Sequence, residues 1–373
     1  MAAVHSMQQA TPRIILGCVL AGLACLAAST LPVRAGAGQP DSGLRLAIAV
    51  TRTGVSPSGT AISLLDPQPG VLSLVYRDAA TGPRLLLKIG GSDLLGAARA
   101  LPPSDIYALL GPPTAEPGQL DSLSAWRVAG QASWKQVADL PLCFSEASPY
   151  GLWSRAPLLA VSPDRSRAAV TALRAGEKVF AGPVIRVLSM YGADEWQVPL
   201  PGRDFRATDL AWSPDGEQLA YAVLPLGDEH TLDASLLPQA GVYLANARTR
   251  AYRLLQQCFP AAIAWGPRGD RLSIAVQPDV WTGAGIVRTI SLTSGKRAEE
   301  FTVTGAAQAL AYSPDGRWLA IQVSGPDGES LQLRASADDG WPRTIYQLPS
   351  SEGRLALLGW LQEASQRAGA EHD

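Results

Sequence analysis

Trp212-Ser213-Pro214-Asp215-Gly216 decides the fold of this chain, because three other segments repeat its pattern of residue types. The other copies are Val161-Ser162-Pro163-Asp164, Trp265-Gly266-Pro267-Arg268-Gly269 and Tyr312-Ser313-Pro314-Asp315-Gly316. Successive copies lie about 50 residues apart, and a constant period of that size is typical of repeat architectures. The repeat must therefore be interpreted before any single motif.

The Ser-Pro-Asp-Gly segment predicts a tight hairpin that leads into a strand. Pro214 fixes φ near about −65°, which suits the second position of a type I turn. Asp215 suits the third position, and Gly216 can adopt the left-handed conformation that follows. After the turn, Leu219–Val223 alternates large and small side chains, as a β-strand does. The first copy has Arg165 where glycine would stand, and we expect its turn to differ, since the left-handed conformation costs a non-glycine residue roughly 1 kcal/mol.

A second hairpin follows each copy and completes a unit of four antiparallel strands. The paired segments are Val184–Leu188 with Trp196–Val198, Val242–Leu244 with Tyr252–Leu255, Ile290–Leu292 with Glu300–Val303, and Leu331–Leu333 with Thr344–Tyr346. Four-stranded units that recur at this period are typical of β-propeller blades. We therefore predict an all-β fold, a β-propeller of about six blades, with a seventh as the alternative.

The succession of an aromatic residue, Ser-Pro-Asp-Gly, two variable residues and Leu-Ala resembles the TolB-type propeller repeat. Related repeats form the propeller of prolyl-oligopeptidase-like enzymes, so the resemblance implies the fold and leaves the activity open. It covers Leu158 to Leu348. TolB has a separate α/β domain ahead of its propeller, whereas residues 43–155 of this chain contain strand-like runs such as Leu44–Val50, which we interpret as one or two divergent blades.

Residues 1–37 have the layout of a signal peptide. Arg13 precedes a mostly apolar run from Ile14 to Leu31, and Ala35-Gly36-Ala37 fits an Ala-x-Ala cleavage site. The alternative is an uncleaved membrane anchor, because a run of this length can span a bilayer. We expect export to the periplasm or the extracellular space, with a membrane tether if the leader remains.

The rest of the chain is assigned to one propeller and a short polar tail at residues 363–373. The propeller covers residues 43–362, with divergent blades at 43–155, clear repeats at 156–350 and a closing strand at 352–362. We expect the apolar run Leu355–Trp360 to pair with N-terminal strands and so to close the ring.

The composition argues against several function classes. The 31 lysines and arginines against 33 aspartates and glutamates give a net charge of −2 without a basic stripe, so nucleic acid is not an expected partner. Only His230 and His372 follow the leader, which argues against a serine-hydrolase triad and against a histidine-based zinc site. No phosphate loop or dinucleotide fingerprint is present, and we predict no cofactor and no resident metal. Cys143 and Cys258 are expected to be free thiols, with a disulfide as the alternative.

The longest insertion in the repeats lies between the second and third strands of the second copy and contains Asp228, Glu229 and His230. Loops at this position share one face of a propeller with the loops between blades, and insertions on one face of a repeat protein often mark its binding face. Another loop expected on this face contains Asp279 and Trp281. An exposed tryptophan among carboxylates can bind a peptide or a sugar. The alternatives are an ordinary solvated loop and a calcium site.

Other polar and aromatic residues of the repeats are assigned to different roles. Asp327 and Glu329 are expected on the same loop face as the insertion. Trp212, Trp265 and Tyr312 are predicted to pack between blades, because the aromatic residue recurs with the repeat. Asp215 and Asp315 are predicted to accept hydrogen bonds from amides of their own turns.

These observations favour an exported non-enzymatic scaffold that binds an envelope protein or peptide, or a glycan, through its loop face. The alternative is an enzyme acting on a glycan or a lactone, which would use channel carboxylates as acid and base. A third hypothesis is a sensor domain that an uncleaved leader anchors beside a signalling partner.

Overall fold

Antiparallel strands follow one another along the chain, and their pairing groups them into blades. The computed structural model describes residues 44–52, 60–65, 72–73, 86–87, 98–102, 105–110, 119–127, 135–143, 158–174, 184–190, 194–202, 204–225, 234–276, 284–336 and 340–362. The N-terminal strands are β1 (Leu44–Arg52), β2 (Thr60–Leu65), β3 (Leu72–Ser73) and β4 (Leu86–Leu87). Blade 2 contains β5 (Ala98–Leu101), β6 (Asp105–Leu110), β7 (Gln119–Arg127) and β8 (Lys135–Cys143), and blade 3 contains β9 (Leu159–Val161), β10 (Arg167–Arg174), β11 (Val184–Ser189) and β12 (Asp194–Val198).

The second half of the chain continues in the same order. Blade 4 contains β13 (Phe205–Trp212), β14 (Gln218–Pro225), the 3₁₀ helix Ala234–Gln239, β15 (Gly241–Asn246) and β16 (Tyr252–Gln257). Blade 5 contains β17 (Pro260–Trp265), β18 (Arg271–Val276), β19 (Gly285–Ser291) and β20 (Arg297–Val303). Blade 6 contains β21 (Ala306–Tyr312), β22 (Trp318–Gly325), β23 (Gly328–Ala335) and β24 (Arg343–Pro349), and β25 (Gly353–Gln362) follows it.

Sheet pairing confirms the predicted all-β propeller. Blades 4, 5 and 6 are separate four-stranded sheets whose strands pair in chain order. Blades 2 and 3 each have the same order but are joined in one eight-stranded sheet, because β8 pairs with β10 where Cys143 faces Leu173. With the sheet that contains β1 and β25 (blade 1), the described strands form five sheets, which makes six blades when the eight-stranded sheet is counted as blades 2 and 3.

Blade 1 takes its innermost strand from the C-terminal end of the described chain. In this blade β25 pairs with β1 along the whole of Leu44–Arg52. Gln322 of blade 6 holds the same strand from the other side: its Nε2 donates to the Leu355 carbonyl at 2.6 Å, and its Oε1 accepts from the Leu357 amide at 2.9 Å. The carboxylate of Glu329 also accepts from the Leu355 amide. The closing strand is therefore bound by two blades.

The core lies between the blades, and the alternation of large and small residues follows from this arrangement. In β14, the side chains of Leu219, Tyr221 and Val223 belong to the apolar cluster that includes residues of blade 3. The side chains of Ala220 and Ala222 face the other way and belong to the cluster shared with blade 5. β14 therefore directs bulky side chains towards the preceding blade and small ones towards the following blade, in the alternation that its sequence predicts.

The aromatic residue at the end of the innermost strand fastens a blade to the one before it. Trp212 Nε1 donates to the Ala160 carbonyl at 3.2 Å, and Trp265 Nε1 donates to the Ala211 carbonyl at 3.0 Å. Both indoles are more than nine-tenths buried. The prediction that these residues pack between blades is confirmed, and the structure adds a specific hydrogen bond to the packing.

At two other junctions between blades, the donor is a tryptophan outside the repeat motif or a tyrosine. Between blades 6 and 1, the donor is Trp360 of the closing strand, whose Nε1 lies 3.0 Å from the Ala311 carbonyl. Between blades 5 and 6, Tyr312 replaces the tryptophan, and its Oη shares a 2.8 Å hydrogen bond with Ser273 Oγ. The Arg271 guanidinium lies 5.0 Å from the centre of the Tyr312 ring and supplements this contact.

The turn at Arg165 does not differ from the others, and the expectation that it would was wrong. Arg165 adopts a φ of 61°, and its amide donates to the Ser162 carbonyl at 2.8 Å, as the Gly216 amide does in its own turn. The guanidinium supplies the physical reason, because it forms a 2.9 Å ion pair with the buried carboxylate of Asp105 in blade 2. A contact between blades thus offsets the backbone strain.

The indole bond is expected to contribute measurably to stability. We predict that Trp212→Phe lowers the free energy of unfolding by about 1–2 kcal/mol, because it removes a buried donor and leaves a small cavity. Trp341→Phe is the matched control, since Trp341 is 76% exposed, and it should change the value by less than about 0.5 kcal/mol. Urea unfolding followed by circular dichroism measures both, and equal effects would contradict the role of the indole.

The contacts of Gln322 are expected to hold the closing strand in place. We predict that Gln322→Ala costs about 2–3 kcal/mol, because two buried backbone groups of β25 lose their partners. Amide hydrogen exchange should accelerate at Leu357 before it does so in blade 4. The exposed Gln347 of blade 6 provides the control, and Gln347→Ala should leave both measurements unchanged. Uniform acceleration through all blades would argue against a local fastening.

Candidate functional site

The antiparallel order gives each blade two chemically different ends. The hairpin face contains the turns between β13 and β14 and between β15 and β16, with their counterparts in the other blades. The loop face contains the connections from β14 to β15 and from β16 to β17, with their counterparts. Because successive strands run in opposite directions, these connections alternate between the two faces. The two faces can therefore be considered separately.

The five sequence-predicted binding residues lie outside the described residues, in the connections from β14 to β15 and from β18 to β19. Asp228, Glu229 and His230 fall in segment 226–233, and Asp279 and Trp281 fall in segment 277–283. Their assignment to a binding site stays a prediction. The described residues next to these two segments show how the segments are attached to their blades.

The second half of the blade 4 insertion is fixed to the blade. It forms the 3₁₀ helix Ala234–Gln239, in which Leu236 packs against the core between blades 3 and 4. The hydroxyl of Tyr243 donates to the Gln239 carbonyl at 2.8 Å, and the Cys258 amide donates to the Ala240 carbonyl at 3.3 Å. The insertion therefore returns to the sheet on a well-anchored base.

Phe259 is a loop-face residue that the sequence analysis missed. It lies in the connection between β16 and β17, next to the Cys258 amide that binds the end of the insertion, and it is 36% exposed. Its only sequence signal is an aromatic residue between two strands, directly before Pro260. An exposed aromatic side chain beside an anchored insertion suits the recognition of an apolar or planar group.

Glu329 supports the closing strand, which corrects its interpretation as an available loop-face carboxylate. Its side chain is partly buried and accepts the Leu355 amide, while Gln322 Nε2 lies 3.5 Å away. Burial raises the pKa of Glu329, and the hydrogen bond from Leu355 acts in the opposite direction. Asp327, two residues earlier, is exposed.

A cavity of about 360 Å³ opens at the hairpin end of the ring. Innermost strands from all six blades line it, together with the turn prolines Pro102, Pro163, Pro214, Pro267 and Pro314. None of the described residues that line it is charged. Adjacent turns are also in contact here, since a Cβ added to Gly316 would lie 2.9 Å from Pro267 Cγ.

The repeated aspartates stabilise their own turns, as predicted. Ser213 Oγ donates to Asp215 Oδ1 at 2.5 Å, and the Glu217 amide donates to the same oxygen at 2.9 Å. Asp315 accepts equivalent bonds from the Ser313 hydroxyl and the Arg317 amide. The hydrogen bond from Ser213 lowers the pKa of Asp215 below its usual range. These carboxylates are therefore structural.

The described residues also limit the possible chemistry. Within them, no group of three or more histidine, cysteine, aspartate or glutamate residues could hold a metal ion. The thiol of Cys258 is free, and burial raises its pKa to about 11, so it is not an activated nucleophile at neutral pH. The same part of the chain contains no helix that is both long and apolar enough to cross a membrane.

The turn carboxylate predicts a specific dependence of stability on pH. Because the folded state lowers the pKa of Asp215, its contribution is complete above the unfolded value of about 3.9 and is lost as the pH falls through the folded value. We predict that Asp215→Asn reduces the loss of stability on acidification from about pH 6 to pH 3. Asp270→Asn, at an exposed position of another turn, is the control. Denaturation midpoints across this pH range test the difference, and parallel curves for wild type and Asp215→Asn would refute it.

Comparison with known proteins supports the fold and does not assign a family. No protein-family model matches the chain, and no curated protein matches its sequence. Among solved structures, it is similar to TolB from Acinetobacter baumannii, with 15% identity, a TM-score of 0.54, and coverage of 86% of this chain and 66% of that one. A chain of a nidogen/laminin complex is also similar, with 13% identity, a TM-score of 0.52, and coverage of 87% and 100%. This chain thus spans slightly less than two thirds of the TolB chain, and by its blades and its structural neighbours it is a β-propeller.

Proposed function

We propose that this chain is an exported, non-enzymatic β-propeller with TolB-type repeats that binds a protein or another ligand of the cell envelope through its loop face. The observation that carries this proposal is the insertion in blade 4, which spans residues 226–240 and ends in a 3₁₀ helix fixed to the blade. The equivalent connection in blade 6 contains only Pro326 and Asp327. An extension of this kind adds nothing to the closure of the ring and instead enlarges one face.

The chemistry of the two faces supports the choice of the loop face. On the hairpin face, the turn prolines, glycines and Ser-Asp pairs are engaged in contacts between and within blades. On the loop face, Phe259 is exposed beside the anchored end of the insertion. The insertion sequence adds Asp228, Glu229 and His230. A surface that combines an aromatic residue with several polar groups has the composition of a recognition site.

Export is supported by the leader sequence, with its Arg13, its apolar run and its Ala35-Gly36-Ala37 site. The proposal of a binding module over an enzyme is supported by the described residues that line the cavity, none of which is charged. The glycan or lactone enzyme, which was the alternative from sequence, has no observation among the described residues in its favour.

Loss of the loop-face side chains is expected to abolish partner capture. We predict that chemical cross-linking in the native envelope, followed by affinity capture, recovers a specific partner with the wild type. A variant with alanine at Asp228, Glu229, His230 and Trp281 should recover at least about tenfold less, as expected when a central contact is lost. The comparison is quantitative mass spectrometry of the captured proteins.

A matched variant on the hairpin face controls for charge and aromatic content. It carries alanine at Glu217, Asp270, Lys296 and Trp341, all of which are exposed in the structure. It should capture the partner as well as the wild type does. Equal loss in both variants would contradict a loop-face site, and turnover of any substrate in a panel of glycans and lactones would contradict a non-enzymatic function.

A further inference from the structure

The outer edge of blade 4 is open and oriented for strand addition. β16 is the last strand of its sheet, and among the described strands none pairs with its outer side. The Asn246 amide donates to the Ala251 carbonyl at 2.8 Å, so Ala251 directs its main-chain groups towards β15. Two residues further along, Arg253 lies opposite Leu244 and has the same orientation. In such a ladder every second residue directs its amide and carbonyl outwards. Tyr252 and Leu254 therefore present free backbone groups along the edge.

The side chains of the same two residues form an apolar surface. Tyr252 is 49% exposed and Leu254 is 39% exposed, and the spacing of two places them on one face of the strand. The surface has a rigid base, because Tyr243 of the neighbouring strand stacks on Tyr221 with their ring centres 5.4 Å apart. It lies on the rim of the propeller, separate from Phe259 and the loop face.

The charge of this edge has one sign. The segment from Ala247 to Phe259 contains Arg248, Arg250 and Arg253 but no aspartate or glutamate, although the whole chain has a net charge of −2. Arg248 forms an ion pair with Glu217 at 3.6 Å, and the side chains of both residues are exposed. The edge is thus cationic and apolar, in a chain that is acidic overall.

The outer strands of blades 5 and 6 are protected in ways that β16 is not. In β20, Arg297 pairs with Glu300 at 3.0 Å, and Glu299 pairs with Arg334 of blade 6. β24 ends in Pro349, which cannot donate a ladder hydrogen bond. Charged side chains and prolines on edge strands hinder pairing with other chains. β16 has neither proline nor lysine, and its one charged residue is Arg253.

We propose that β16 is a docking edge for an extended acidic segment of a partner protein, which adds to blade 4 as a fifth strand. Its main-chain groups pair with those of Tyr252 and Leu254, as in other cases of strand addition. Its apolar residues contact these two side chains, and its alternate acidic residues face Arg253. A second copy of this chain is not the occupant, because two β16 strands would bring like charges together. The proposal concerns the rim and does not depend on the loop-face function.

The test uses a labelled peptide of about nine residues in which valine alternates with glutamate, so that its pattern complements the edge. Full-length protein should bind it saturably, and the peptide with lysine in place of glutamate should bind at least about tenfold more weakly at low salt. Hydrogen exchange should slow at the Tyr252 and Leu254 amides when the glutamate peptide binds. Fluorescence anisotropy and exchange mass spectrometry give the two readouts.

Leu254→Pro is the decisive variant, because it removes an outward amide without removing a hydrogen bond to β15. It should weaken binding of the glutamate peptide at least about tenfold, whereas Leu254→Thr, which keeps the amide, should weaken it less than about threefold. Arg253→Glu should reverse the preference between the two peptides, and this result remains informative if Leu254→Pro does not fold. Equal binding by wild type and Leu254→Pro, or no saturable binding up to about 1 mM, would overturn the proposal. Self-association that Leu254→Pro abolishes would also overturn it, since the edge would then belong to a second copy.

Discussion

The hydrogen bond from a buried indole to a backbone carbonyl of the preceding blade is the constraint on which this structure depends. A single blade cannot bury its own faces, so each one gains stability only against its neighbours. Trp212 and Trp265 fix that contact at the inner end of the strand, where the blades are closest. Trp360 makes the same bond from the closing strand, so the junction between blades 6 and 1 is chemically equivalent to the others that use an indole.

Degraded copies of the repeat keep their geometry because side chains outside the motif compensate. In the third copy, Gly266 and Arg268 replace the serine and aspartate, yet the Gly269 amide still donates to the Gly266 carbonyl at 2.9 Å. The side chain of Arg271 occupies the space beside Gly266 and reaches Tyr312 in the next blade. Arg165 similarly replaces a turn glycine and gains an ion pair with Asp105. The hydrogen bond and backbone conformation of the turn are therefore kept in copies where the Ser-Pro-Asp-Gly residues are not.

Local features of the fold could be predicted from sequence, whereas contacts between distant segments could not. The turns and alternating strands depend on neighbours within about five residues, so proline, glycine and residue size suffice to indicate them. The sequence did not identify Trp360 as one of the aromatic residues that join neighbouring blades, because no Ser-Pro-Asp-Gly segment follows it. Glu329 was taken for a surface carboxylate, since its partner at Leu355 is 26 residues away in the chain. Phe259 was missed because its proximity to the insertion rests on the bond between Cys258 and Ala240, which are 18 residues apart in the chain.

The same constraint indicates where a ligand can be recognised. On the hairpin face, neighbouring turns touch, as Gly316 does with Pro267, so a substitution there disturbs the ring itself. The connections between the second and third strands differ in length from blade to blade, from residues 226–240 in blade 4 to residues 326–327 in blade 6. Blade 4 departs from its neighbours in both places, with a long insertion on the loop face and an unprotected cationic edge at β16. Because ring closure requires neither feature, both are available for the recognition that we propose, and blade 4 is where the two proposals can be tested.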